Sequence, residues 1–181
     1  MGSTQPFADV FVPQDADPRV DVDYAGTERD LLTAFLQWQR ETLVLKCDGL
    51  TPEQLASRPI PMTSMSLLGL VRHLADVECG WFRRRLAGED VPRPFSDETN
   101  VDGAWDDATP GGVDEAWRAW REEVAFAERF AAGHDLDARG RAEGMGELSL
   151  RWVLLHMLEE YARHMGHADL LRQAIDGRVG Q

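Results

Sequence analysis

The chain has 181 residues, 43% of them hydrophobic, which fits a single globular domain with a sizeable core. Its formal net charge of −13 repels phosphate backbones and anionic lipid surfaces, so we expect neither nucleic acid nor a membrane as a partner. There is no apolar run of transmembrane length, no signal-sequence pattern and no CxxC spacing around Cys47 and Cys79. Together these absences predict a cytoplasmic protein without a disulfide framework.

The N-terminal part of the chain divides into an arm and a first helix. Residues 1–26 carry proline and aspartate and lack periodicity, so we predict an extended arm. Its contacts with the body are expected to come from Phe7, Phe11 and Val12. Thr27 offers an N-cap for a first helix that ends near Gly49, and we place the folded domain at residues 27–181.

Apolar residues at helical spacing predict three more long helices. The second runs over about residues 66–86, the third over about 113–132, and the fourth, which Ser149 caps, continues to residue 176. A short helical turn with Pro52 at its first position lies between the first and second helices.

Two long connections separate these helices. Residues 87–112 are polar and rich in Pro, Asp and Gly, and a loop of this length is either functional or a wrapped crossover. Residues 133–147 are glycine-rich and are predicted to form a second, mobile loop. Four long helices without an alternating strand pattern predict an all-α protein, a four-helix bundle with a long crossover connection.

The last helix carries three of the chain's five histidines. At about 100° per residue its apolar side chains fall on one arc, and His164 projects inside that arc. Glu160 lies one turn earlier at the border of the arc, while His167 and then His156 point further out. A carboxylate and an imidazole at the inner edge of a helix need a partner, and a metal ion satisfies both.

A third candidate ligand is His73, which flanks the apolar face of the second helix. Residues four apart, such as Glu160 and His164, have Cβ atoms about 5–6 Å apart and can reach one ion. Three protein ligands leave one coordination position open, as in catalytic sites. Imidazole and carboxylate suit zinc first, with nickel, iron or manganese as alternatives. The same spacing also fits a core histidine beside a Glu160–Arg163 ion pair, because E-x-x-x-H is a short motif with many chance matches.

Glu78 and His167 are further candidates. Either could hydrogen-bond to the ring nitrogen of a ligand histidine that does not bind the metal, and so orient the ring. Glu78 projects near the centre of the apolar face of the second helix, where an arginine partner is the favoured alternative. The arginines considered for it are Arg72, Arg83 and Arg151. His167 could instead be a rim residue or a substitute ligand, and His156 is expected to face solvent.

Two ordered motifs resemble the DinB-like proteins, and more specifically the branch near mycothiol-dependent maleylpyruvate isomerase: SLLGLVRHLADVECGWFRRRLAGE and GELSLRWVLLHMLEEYARHMGHADLLRQAIDG. The resemblance covers about residues 27–177. It implies a four-helix bundle with a crossover topology and a divalent metal held by His73, Glu160 and His164. It also implies chemistry on a low-molecular-weight thiol such as mycothiol or bacillithiol. The isomerase has a further C-terminal domain, whereas this sequence ends at Gln181, so we do not expect maleylpyruvate isomerase activity.

These observations together predict a divalent-metal-dependent enzyme, a thiol S-transferase that activates a mycothiol-type thiol for transfer to a small electrophile. One alternative is a metal-dependent hydrolase, in which the same ion activates water. The other is a non-enzymatic metal-binding or stress-related protein. We also expect a homodimer, because the first and third helices carry more apolar positions than one core needs and related proteins often pair.

Overall fold

The structure, a computed structural model, describes residues 11–142, 144 and 146–180. The protein is mainly helical, at 62%, with one small two-stranded sheet in the described part of the chain. In chain order the helices and strands are α1 (Glu28–Cys47), α2 (Pro52–Ala56), α3 (Leu67–Glu78), a π-helical continuation of α3 (Cys79–Leu86), α4 (Gly103–Asp106), α5 (Val113–Gly133), β1 (Arg139–Ala142), β2 (Gly146–Ser149) and α6 (Leu150–Asp176). Short 3-10 turns cover Gln14–Ala16 and Pro110–Gly112.

Local sequence signals set the helix ends. The Thr27 side chain accepts a hydrogen bond from the Asp30 backbone while the Asp30 side chain accepts one from the Thr27 backbone, which forms a capping box. The Ser149 side chain caps α6 by accepting a hydrogen bond from the Trp152 backbone, and Gly177 ends that helix with a left-handed φ of 82°. The predicted caps of the first and last helices are therefore confirmed.

The hairpin is the main departure from the predicted all-α fold. Strands β1 and β2 pair antiparallel within the segment that we expected to be a loop. A Cβ at Gly140 would lie 2.2 Å from the Arg85 carbonyl oxygen, so the hairpin packs directly on the π-helical segment. Each strand has four residues, the lower limit for a recognisable period-two pattern, and includes a glycine, a residue depleted in strands.

The long helices pack in two pairs. Helix α1 packs mainly on α6, α3 packs mainly on α5, and α3 and α6 also touch. The core between them is built largely from leucines, with Tyr161 and Phe82 among the largest fully buried side chains. None of the described helices is long and apolar enough to cross a membrane.

A buried polar network crosses this core. Arg40 of α1 donates two hydrogen bonds of 2.8 Å to the two carboxylate oxygens of Glu78. The Tyr161 hydroxyl donates to Glu78 Oε1 at 2.9 Å and accepts from Trp120 Nε1 at 2.9 Å. Glu78 thus has the arginine partner that we favoured. The partner is Arg40, and the three arginines considered from the sequence were wrong.

The long connection between the π-helical segment and α5 is fixed to α3. Arg72 donates to the carbonyl oxygens of Gly103 and Ala104 at 2.9 and 3.0 Å, and Asp76 Oδ1 accepts from the Phe95 backbone at 2.8 Å. These bonds hold the short helix α4 against α3. The connection therefore becomes part of the wall around the candidate site.

The N-terminal arm packs where α1 and α6 end. Phe11 is buried, with the Arg178 and Lys46 side chains over its ring at 4.0 and 4.1 Å. Val12 is half-buried. Phe7, which we expected to be a further anchor, lies outside the described residues.

Candidate metal centre

Three potential ligands from two helices converge at the contact between α3 and α6. His73 lies on α3, and Glu160 and His164 lie one turn apart on α6. Glu160 Oε1 is 3.0 Å from His73 Nε2 and 3.3 Å from His164 Nε2. One ligand atom from each of the three side chains lies within 4.8 Å of the others.

Two of the three spacings in the cluster, both measured from Glu160 Oε1, match those around one divalent ion. With ligand distances of about 2.0–2.2 Å, two ligands of a tetrahedral ion lie about 3.4 Å apart. The two distances from Glu160 Oε1, 3.0 and 3.3 Å, are close to that value. Two imidazole nitrogens and one carboxylate oxygen are also a common ligand set for zinc in catalytic sites.

The cluster is half-buried, and its electrostatics favour an ionised carboxylate. The exposed fractions of the side chains are 25% for His73, 17% for Glu160 and 10% for His164. Hydrogen bonds from His164 and then from His73 hold the pKa of Glu160 well below its ordinary value, and burial opposes them only in part. Glu160 therefore carries its negative charge at neutral pH, the form in which a carboxylate binds a cation.

Trp105 of α4 forms a wall of the cluster that sequence analysis missed. Its ring stacks on the His73 imidazole, with 4.9 Å between the ring centroids, and lies 6.0 Å from the His164 ring. The absence of a side chain at Gly69 makes this approach possible, because a Cβ there would lie 2.9 Å from Trp105 Cε3. Gly69 precedes His73 by one helical turn, but nothing in the sequence indicates which residue fills the space above it.

His167 contacts the cluster through His164, on the side of that ring away from Glu160. Its Nδ1 lies 3.3 Å from Nδ1 of His164, the ring atom that faces away from Glu160. Burial lowers the pKa of His167, and repulsion from His164 and Arg163 lowers it further. A neutral His167 can accept a hydrogen bond from His164 Nδ1–H, which leaves His164 Nε2 for an ion.

His156 and Arg163 lie elsewhere than the sequence suggested. His156 was expected to face solvent, but its ring stacks on Trp152 at 5.1 Å and meets the edge of Trp81 at 4.6 Å. Arg163 pairs with Glu159, not with the neighbouring Glu160. The ion pair that we weighed against a metal site is therefore not formed.

Glu78 is not in contact with the candidate ligands. Its hydrogen bonds among the described residues go to Arg40 and Tyr161, and it is fully buried in the core. Its connection to the cluster runs through the backbone, because Tyr161 directly follows Glu160 on α6.

Neither cysteine is suited to act as a nucleophile. Burial raises the pKa of Cys47 to about 12 and that of Cys79 to about 11. Both are free thiols, and the thiolate is the reactive form of cysteine. At neutral pH both therefore stay protonated inside the core.

One comparison with known proteins bears on this site. The family model described as mycothiol-S-transferase matches residues 31–177, a stretch that holds all three candidate ligands. A search of curated proteins gives no match.

Proposed function

The chain belongs to the mycothiol-S-transferase family, and from this premise we propose that it is a divalent-metal-dependent transferase that joins a low-molecular-weight thiol to a small electrophile. Membership itself indicates transferase chemistry that involves mycothiol. The metal dependence is our own addition. The observation that supports it is the convergence of His73, Glu160 and His164 on one point.

The proposed ligands are His73 Nε2, Glu160 Oε1 and His164 Nε2, with zinc as the first expectation and nickel, iron or manganese as alternatives. A divalent ion at this position would act as a Lewis acid that lowers the pKa of a bound thiol, so that thiolate is available at neutral pH. Three protein ligands leave a position for that thiol.

The nucleophilic sulfur has to come from outside the chain. Cys47 and Cys79 are buried and stay protonated, so the protein itself offers no thiolate beside the cluster. In the proposed reaction the sulfur of the external thiol forms a bond to a carbon of the electrophile. The leaving group departs with its electron pair, and the thiol proton passes to solvent.

The residues around the cluster orient the ligands and shield them. Trp105 stacks on His73 and restricts the rotation of its ring. With an ion on His164 Nε2, the proton of that ring would lie on Nδ1 and His167 Nδ1, 3.3 Å away, would accept it, which would fix the orientation and the tautomer of His164. We therefore propose that His167 orients His164, which was one of the alternatives from the sequence. Glu78 belongs to the buried network of the core and not to the cluster.

We also propose an architecture, a location and an assembly state for the protein. We take the four long helices to form a crossover bundle, since the first packs on the last and the middle two pack together. We expect the reaction in the cytoplasm, where small thiols are kept reduced. We also propose that two copies of the chain form a homodimer.

Metal content in matched variants tests the proposed centre. His73→Ala, Glu160→Ala and His164→Ala each remove one of three ligands, so each should lower metal affinity by more than about tenfold. After dialysis against metal-free buffer, elemental analysis should find about one ion per wild-type chain and little in the three variants. His156→Ala is the control, because His156 lies on the same helix but packs between Trp81 and Trp152.

Metal retained by all three ligand variants, or no metal in the wild type, would contradict the proposed metal centre.

Turnover measurements test the proposed reaction. Consumption of 1-chloro-2,4-dinitrobenzene by the metal-loaded protein should require mycothiol and should fall to background in Glu160→Ala. Thiol-independent hydrolysis of ester or amide substrates would instead identify a hydrolase.

A further inference from the structure

A cavity of about 300 Å³ opens beside the candidate metal centre. His73 belongs to its wall, so a molecule in the cavity lies next to the cluster. The rings of Trp81 and Trp105 line it, together with the polar side chains of Asp76, Arg85 and Arg93. At about 30 Å³ per water-sized group, the space suits a ligand of about ten non-hydrogen atoms.

Two arginines of this wall converge on one glycine. A Cβ at Gly80 would lie 3.1 Å from Arg85 Nη1 and 3.9 Å from Arg93 Nε. Arg85 reaches this point because the segment is π-helical, where residues five apart face one another, and its Nη1 donates to the Gly80 carbonyl at 2.9 Å. The Arg85 guanidinium also lies 4.3 Å from the ring centroid of Trp81, which holds it in place.

Neither arginine forms a salt bridge in the part of the chain that the structure describes, although acidic residues are in large excess. Their neighbour Arg83 shows the usual arrangement, since it pairs with Glu123 at 2.6 Å and Glu89 at 3.2 Å. Arg93 acts on Asp76 at longer range, where burial raises the pKa of Asp76 and the charge of Arg93 partly opposes that rise. Burial lowers the pKa of Arg85, and repulsion from Arg93 and Arg84 lowers it further. Two unpaired guanidinium groups at one point favour a bound anion.

The acidic residues of the cavity leave this point accessible. Asp102 is exposed, and Asp76 turns Oδ1 towards the Phe95 backbone. Burial raises the pKa of Asp76, and the Ser96 side chain, the Phe95 backbone and the charge of Arg93 oppose that rise. The Asp76 carboxylate therefore interacts with its neighbours in the cavity wall.

We propose that this cavity binds the anionic group, a carboxylate or a phosphate, of the electrophilic substrate, and that Arg85 and Arg93 are the residues that hold it. The identity of the ligand as the electrophile rests on the proposed function, but the anion site does not depend on it. A substrate held there would have its reactive carbon directed towards His73 and the cluster. The site would select anionic electrophiles over neutral ones of the same shape.

Binding measurements with three small probes test the proposal without any turnover. Benzoate, phenyl phosphate and benzamide share one ring and differ in charge. Calorimetric titration of the full chain should show that at least one anion binds about tenfold more tightly than benzamide, with and without bound metal. The anion that binds with the higher affinity shows whether the site prefers a carboxylate or a phosphate.

Two variants and a control assign the site to its residues. Arg93→Gln and Arg85→Gln should each weaken anion binding by about tenfold and leave benzamide binding unchanged. Arg93 makes no hydrogen bond among the described residues, so Arg93→Gln should fold normally even if Arg85→Gln does not. Arg118→Gln is the control, because the Arg118 side chain is 65% exposed on α5 and its ion pair, with Glu122, is on the surface.

Equal affinity for anions and benzamide, no binding of any probe, or unchanged anion binding in both variants would each overturn the proposal. Anion binding that disappears when the metal is removed would also overturn it, since the anion would then be a metal ligand. Failure of the proposed function looks different. In that case metal content or thiol-dependent turnover is absent while the arginine-dependent preference for anions persists.

Discussion

Two adjacent residues of α6 have different tasks at the same helix contact. Glu160 faces His73 and His164, whereas Tyr161 donates to the buried Glu78. Successive residues of a helix point about 100° apart, so neighbours can serve a half-exposed site and a core network at once. The core bond fixes the position of α6 against α3, and the geometry of the candidate centre follows from it.

A residue-scale prediction concerns Gly69, where Trp105 comes closest to α3. Alanine favours helix over glycine by about 1 kcal/mol, but its Cβ would lie 2.9 Å from the Trp105 ring. Overpacking costs about 1–3 kcal/mol, so Gly69→Ala should lower the free energy of unfolding. Urea unfolding measures the change, and displacement of Trp105 should also alter tryptophan fluorescence.

Gly166→Ala is the matched control for this prediction. Gly166 lies in α6 with no atom within 4 Å of an added Cβ, so alanine should stabilise the protein by up to about 1 kcal/mol. If both variants were equally stabilised, the contact between Trp105 and Gly69 would not constrain the fold.

At the scale of elements, one polar network joins the four long helices. It takes Arg40 from α1, Glu78 from the end of α3, Trp120 from α5 and Tyr161 from α6. Buried charges are tolerated only when they are paired and hydrogen-bonded, so the network requires all four helices to be in place. It fixes their relative positions more strictly than apolar side chains alone would.

Removing one charge of this network should be costly. Arg40→Met leaves Glu78 buried without its cation and should lower the free energy of unfolding by about 3–5 kcal/mol. The double variant Arg40→Met/Glu78→Met removes both charges and should cost less than the single one. Urea unfolding of both variants tests this, with the exposed Arg118→Met as the control. A double variant less stable than Arg40→Met would show that the charge itself is not the cause.

At the scale of the whole molecule, apolar surface remains uncovered on one pair of helices. Five large apolar side chains with exposed fractions of 42–57% lie on α1 and α6, namely Phe35, Val44, Trp152, Leu155 and Leu170. The sequence predicted a surplus on the first and third helices, and the structure shows it on the first, α1, but on the last, α6, in place of the third. On α5 the rings of Trp117, Phe126 and Phe130 are half-buried against the core, so the surplus apolar surface lies on α1 and α6.

If two copies of the chain pair as we propose, we expect them to pair through this surface. We expect light scattering at micromolar concentration to give twice the mass of one chain. Leu155→Asp should shift the mass towards the monomer, because it places a charge among exposed apolar groups of a chain that already carries −13. Met62→Asp is the control at a loop residue that is 94% exposed. A monomeric wild type would end the dimer proposal.

Features that depend on neighbouring residues could be predicted from the sequence. The long helices, the capping box at Thr27 and the stop at Gly177 follow from patterns within one helical turn or a few turns. The three candidate ligands could be selected for the same reason, since their positions on helix faces follow from the periodicity of each helix. In the structure one ligand atom from each of the three side chains lies within 4.8 Å of the others. Metal binding stays a prediction.

Features that depend on how the helices cross were decided only by the tertiary structure. Glu78 meets Arg40 across 38 residues of sequence and Tyr161 across 83, so helical spacing could not identify either partner. Trp105 reaches His73 only because a connection without periodicity folds back over Gly69. The hairpin packs on the π-helical segment, which is distant from it in sequence. Sequence periodicity fixes which way a side chain points from its own helix, but the packing of distant segments determines what it meets there.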